Sequence, residues 1–151
     1  MLDVSVAGGI KAGTSPLDTI IAEAGEEASL PPSLVRKNIL SAGVLTYVSA
    51  TGAEFPGEQG LVVPDLIYAY DMELPADVIP KPHDDEVKGF ALMSVPEVQR
   101  ALLGREFKPD AAAVLVDFLV RHGVITAENE PRLAEITMHL HRRLPFRTAP
   151  P

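Results

Sequence analysis

The chain has 151 residues, 46% of them apolar, and its 21 acidic against 13 basic side chains leave a formal charge of −8. That length and apolar fraction suit one domain with a sizeable core and exclude a disordered chain. The negative charge argues against sequence-independent nucleic-acid binding, which needs clustered Lys and Arg to displace counterions, and the absence of cysteine excludes disulfides, zinc–thiolate sites and thiol catalysis.

In chain order, Asp3 to Ala7 alternates enough to predict a short strand that feeds a glycine-rich loop, Gly8-Gly9-Ile10-Lys11-Ala12-Gly13-Thr14. Glycines there let the backbone turn sharply and approach a ligand closely. Ser15-Pro16-Leu17-Asp18 then starts a helix, with Ser15 as N-cap, Pro16 at the first helical position and Asp18 closing a capping box. Leu17, Ile20, Ile21, Ala24 and Ala28 recur at helical spacing and give that helix one apolar face. Leu30-Pro31-Pro32 ends it, because neither proline donates a backbone hydrogen bond and each disfavours helical geometry in the residue before it.

Glu23, Glu26 and Glu27 lie off the apolar face, and spacings of three and four residues bring helical side chains within roughly 5–6 Å of one another. They occupy the last turns, where the helix dipole disfavours negative charge by about 0.3–1 kcal/mol per exposed group. Local stability does not account for them. A hard divalent cation does, since Mg2+ takes oxygen ligands and is commonly shared between carboxylates and substrate phosphates. From spacing alone, three glutamates in five helical residues are more often a solvated face, and the preceding glycine loop shifts the balance towards a site.

Further along, Ser33 to Asn38 predicts one short helical turn and Gly43 to Ala50 a strand rich in β-branched and aromatic residues, with Thr51 to Gly57 as the following loop. Asp65 to Leu74 predicts the clearest strand, with Leu66, Tyr68, Tyr70, Met72 and Leu74 on one face and Ile67, Ala69, Asp71 and Glu73 on the other. Tyr68 and Tyr70 read as core or half-buried sheet residues, the alternative being the wall of a pocket for an aromatic group. Pro75 to Asp85 reads as loop, Phe90 to Met93 as a strand, and Val95 to Leu103 as a helix stopped by Gly104. Asp110 is expected to cap a helix with Ala112, Leu115, Phe118 and Leu119 inward, ending at His122-Gly123. A last helix is expected from Glu130 to Arg142 with Leu133, Ile136 and Leu140 inward, then a frayed tail at 148–151. His122, His139 and His141 fit cationic helix capping better than metal binding.

No apolar run reaches the roughly 18 residues of a membrane span, and the N-terminus lacks the basic-then-apolar order of a signal peptide. The expectation is a soluble, cytoplasmic protein with neither a membrane nor a nucleic acid as partner.

The stretch from Gly8 to Leu30 resembles the Nudix box, G-x5-E-x7-R-E-U-x-E-E-x-G-U with U a bulky aliphatic, with Gly8, Glu23, Glu26, Glu27 and Leu30 in register. Thr14, Ala22, Ala24 and Ser29 differ from it. The tail Glu23 to Pro31 looks more closely like thiamine-pyrophosphokinase-related Nudix hydrolases. That likeness runs on through Glu86-Val87-Lys88-Gly89-Phe90, Glu106-Phe107-Lys108-Pro109-Asp110, Phe118 to Gly123 and Leu140 to Phe146.

The resemblance implies an α/β Nudix fold over residues 1–147, a mixed sheet flanked by helices with a C-terminal helical extension, beginning partway through the family architecture so that the N-terminal sheet edge is incomplete. It further implies Mg2+, or Mn2+, held by Glu23, Glu26, Glu27 and the Gly8 carbonyl, with Glu26, Glu23 or Glu86 as proton acceptor. Glu86 stands where many Nudix enzymes place a further carboxylate, and a purely structural role for it is equally open. The implied substrate is a small-molecule diphosphate, thiamine diphosphate and above all its oxidised analogues, oxothiamine and oxythiamine diphosphate, in a clean-up reaction. The alternative is a catalytically weak Nudix-like protein that binds a diphosphate or a protein partner.

Overall fold

A computed structural model describes residues 1–52, 57–83 and 86–146. Five helices and two strands follow one another as α1 (Pro16–Ala28), α2 (Pro32–Asn38), β1 (Ile39–Ala50), β2 (Val62–Met72), α3 (Val95–Leu103), α4 (Pro109–Arg121) and α5 (Leu133–Leu140). The fold is α/β and Nudix-like, and among the described residues its ladder is one antiparallel sheet of β1 and β2. No helix among them is long and apolar enough to cross a membrane. The tail at 148–151, residues 53–56 of the Thr51–Gly57 loop, and Asp84 and Asp85 lie outside the described residues.

The chain forms two compact units, Met1–Ser41 with Tyr70–Ala112 and Ala42–Ala69 with Ala113–Pro151. In the first, α1 supplies most of the core. The Ser15 hydroxyl oxygen accepts the Asp18 amide at 3.0 Å, Pro16 opens the helix, and Ile21, Ala24 and Ala28 are buried together with Leu30 and Val35. Val6, Leu34, Ile39, Met72, Leu74, Val78 and Phe90 pack around this cluster. α1 stops at Ser29, whose left-handed backbone (φ 55°, ψ 30°) lets its amide and that of Leu30 reach the Ala24 carbonyl. This conformation strains any residue with a Cβ and favours glycine, the residue that the Nudix box has here. Ser29→Gly is therefore expected to raise stability by up to about 1 kcal/mol, read as a higher urea midpoint, with α1 unchanged by circular dichroism.

The second unit is built on Leu45, Ala69 and Leu140, with Ala42, Ile67, Ala113, Val116 and Ile136 packed around them. Strict alternation would send Ala42 and Leu45 to opposite faces of β1. Gly43 between them has φ 117°, open only to glycine, and this break brings both into one cluster. In β2 the reading of Tyr70 as half-buried holds, and that of Tyr68 does not. Ala69 is buried beside Ile67, whereas Leu66 and Tyr68 are exposed and Tyr70 is half-buried. Both faces of β2 are apolar, so pattern alone did not choose. Pro64 is tolerated because a two-stranded sheet leaves each strand an edge that needs no donor.

Other local expectations change where the chain found distant partners. Asp3 to Ala7 forms no strand; Leu2 alone makes a bridge, to Phe107. Phe90 to Met93 has no ladder either, and Phe90 serves as core packing for α1. Helix α3 matches its expected bounds, with the Glu97 carboxylate accepting both the Ser94 amide and its hydroxyl. In α4, Asp110 sits within the first turn instead of at the cap, and Ala111 and Leu119 are buried while Ala112, Leu115 and Phe118 are half-buried. Asp117 is buried there as well, tolerated because Arg121 Nε donates to it at 2.6 Å. Gly123, at φ 70°, closes the helix end as expected. Helix α5 is shorter than expected at both ends. After Leu140 the chain turns to β1, where Arg142 N–H donates to the Thr46 carbonyl and Thr46 Oγ1 to the Arg142 carbonyl.

Candidate active site

Every residue expected at the site falls in the first unit. Glu23 and Glu27 are one helical turn apart on α1 and half-buried, whereas Glu26 is exposed on the same helix. The segment ahead of α1 closes on the first two. The Ala7 amide donates to Glu27 Oε2 at 3.1 Å, and the Gly8 backbone lies so near Glu23 that an added Cβ would collide with its carboxyl group. Gly8 has no unusual φ, so what a side chain there would disturb is the placement of the Glu23 carboxyl group.

Desolvation raises the proton affinity of the Glu27 carboxyl above its ordinary value, partly offset by the Ala7 hydrogen bond and reinforced by the charges of Glu23, Asp3 and Glu86. Four carboxylates therefore share one field: Glu23, Glu27, Glu86 and Asp3. Glu86 is exposed and follows the proline-rich loop. Asp3 is the member that sequence reasoning missed. It lies in the segment read as a strand, and its ion pair with Lys108 joins residues 105 positions apart, beyond any local pattern. Lys11 is exposed in the glycine loop.

All these donors are oxygens, the set preferred by hard cations such as Mg2+ and Mn2+ over softer metals. The like charges that raise Glu27 are what a cation would relieve, so the chemistry of the site fits one. Among the described residues, no group of three or more His, Asp or Glu side chains is gathered tightly enough to hold a metal ion as it stands.

No family model matches the chain. It is similar to three curated proteins. One, from Saccharomyces cerevisiae and named as uncharacterized, is 44% identical over 152 residues, covering 98% of this chain and 44% of the relative. Nudix hydrolase 20, chloroplastic, of Arabidopsis thaliana is 34% identical over 130 residues, covering 85% of this chain and 33% of the relative. Nudix hydrolase 24, chloroplastic, of the same plant is 33% identical over 144 residues, covering 95% and 36%. The chain thus spans less than half the length of the curated relatives it matches. The two plant homologues, with the fold, support the Nudix family for this chain.

Proposed function

We propose that the chain hydrolyses a diphosphate linkage as a Nudix pyrophosphohydrolase. The closure of Ala7 and Gly8 onto the Glu27 and Glu23 carboxylates supports this reading, because it sets the main chain of the glycine-rich segment against two oxygen acids of α1. Glu23, Glu26, Glu27 and the Gly8 carbonyl would hold Mg2+ or Mn2+, and the cation would supply neutralisation of charge on the phosphoryl oxygens. Glu86, Glu26 or Glu23 accepts the proton of the attacking water. The half-burial of Glu23 and Glu27 keeps part of the bulk solvent from these oxygens.

The substrate class in this proposal is thiamine diphosphate and its oxidised analogues, converted to monophosphates in the cytoplasm. Its support is the sequence likeness that runs beyond the box to Phe146. Metal-free protein supplied with Mg2+ should release monophosphate products from oxothiamine diphosphate faster than nucleoside monophosphate and sugar phosphate from nucleoside diphosphate sugars, both followed by chromatography. Equal or reversed rates would remove the substrate assignment, and no release from any diphosphate would remove the activity.

A second reading, binding of a diphosphate without turnover, is favoured by Ala22, which is exposed where the box has an arginine to orient a glutamate. Ala22→Arg is expected to raise kcat by roughly 10-fold, the lower end of the effect of supports that orient metal ligands. An unchanged kcat would show that orientation does not limit the rate.

A further inference from the structure

The segment ahead of α1 is held at two points. At its start, the Leu2 amide donates to the Glu106 carbonyl at 2.7 Å and the Lys108 amide to the Leu2 carbonyl at 2.9 Å, clasping Leu2 beside the buried Phe107. Lys108 Nζ then pairs with Asp3. At its far end, Val6 packs on the α1 core, Ala7 donates to Glu27 and Gly8 lies against Glu23. Only residues 4 and 5 separate these two sets of contacts, so slack at the first is felt at the second.

We infer that Lys108 is a positioning residue, which through Asp3 holds the strap of residues 2–8 so that the Ala7 amide and Gly8 backbone stay seated on the Glu27 and Glu23 carboxylates. This role rests on the site proposed above. Two further observations agree with it. The side chains of Lys108 and Asp3 are 53% and 37% exposed, so their pair contributes little to global stability and its effect is local. The ammonium is held above its ordinary proton affinity by Asp3 first, with Asp110 and Glu27 adding to it, so Lys108 also stands within the field of a site carboxylate.

Position and charge predict opposite results. If Lys108 acted only as a positive charge near an acidic site, Lys108→Met would strengthen Mg2+ binding. If it seats the strap, the same change weakens Mg2+ binding and speeds exchange of the Leu2 and Ala7 amides, whose hydrogen bonds to Glu106 and Glu27 anchor the strap, each by roughly two- to fivefold, the range of an exposed ion pair. Residue-resolved hydrogen exchange on the metal-free protein and Mg2+ titration by calorimetry read these separately. Expected with Lys108→Met are faster exchange confined to residues 2–8, unchanged exchange at Ala24 and Ala28, and weaker Mg2+ binding, with Lys108→Arg restoring both. Tighter Mg2+ binding, unchanged exchange in the strap, or acceleration extending through α1 would each overturn the inference. Failure of the wild-type protein to bind Mg2+ would overturn the site reading instead, and the exchange comparison would still decide whether Lys108 holds the strap.

Discussion

Glu27→Gln should lower Mg2+-dependent hydrolysis by at least about 100-fold, a loss of the size seen when one essential acid or base is removed, while the fold persists. The amide oxygen of glutamine still accepts the Ala7 N–H that Glu27 Oε2 accepts now, so the strap stays seated and only the charge is lost. Glu26→Gln should cause a loss of similar size, measured as phosphate release under saturating Mg2+. Undiminished turnover in either variant would count against the assignment of that carboxylate. The metal-free proteins give an independent reading. Because the folded state raises the Glu27 proton affinity above the ordinary 4.5, folding takes up a proton there as pH rises past that value. Wild-type stability falls across this window, so Glu27→Gln should be the more stable protein at neutral pH. That advantage should disappear below pH 4.5. A variant less stable than wild type at neutral pH would show that the hydrogen bond outweighs desolvation.

Leu45→Ala should cost roughly 2–5 kcal/mol, because it removes a fully buried side chain and leaves a cavity that its neighbours close only in part. Leu45 is 1% exposed and packs with Ala69 and Leu140. Set against a typical domain stability of about 5–15 kcal/mol, such a loss is large. A control lies on the same strand: Leu40 is 70% exposed, and Leu40→Ala should stay within about 0.5 kcal/mol of wild type. Urea unfolding followed by far-ultraviolet circular dichroism compares them. Similar midpoints for the two variants would mean that the second core is not centred on Leu45.

The amino-acid sequence by itself determined α1 and α3, because their signals are local. Ser15, Pro16 and Asp18 start α1 and two prolines follow it, while Ser94, Pro96, Glu97 and Gly104 frame α3. It also determined which carboxylates α1 carries, since helical spacing is fixed by the backbone. Only the tertiary structure decided which backbone groups meet those carboxylates. The meeting of Ala7 with Glu27 and of Gly8 with Glu23 depends on a strap anchored about a hundred residues away, at Glu106 and Lys108. Tertiary structure likewise chose the inward face of β2, where apolar residues on both sides left alternation without a preference, and shortened α5 to let Arg142 pair with Thr46. In each of these cases the deciding hydrogen bond or packing contact joins segments far apart in the chain, and no periodicity within either segment encodes its partner.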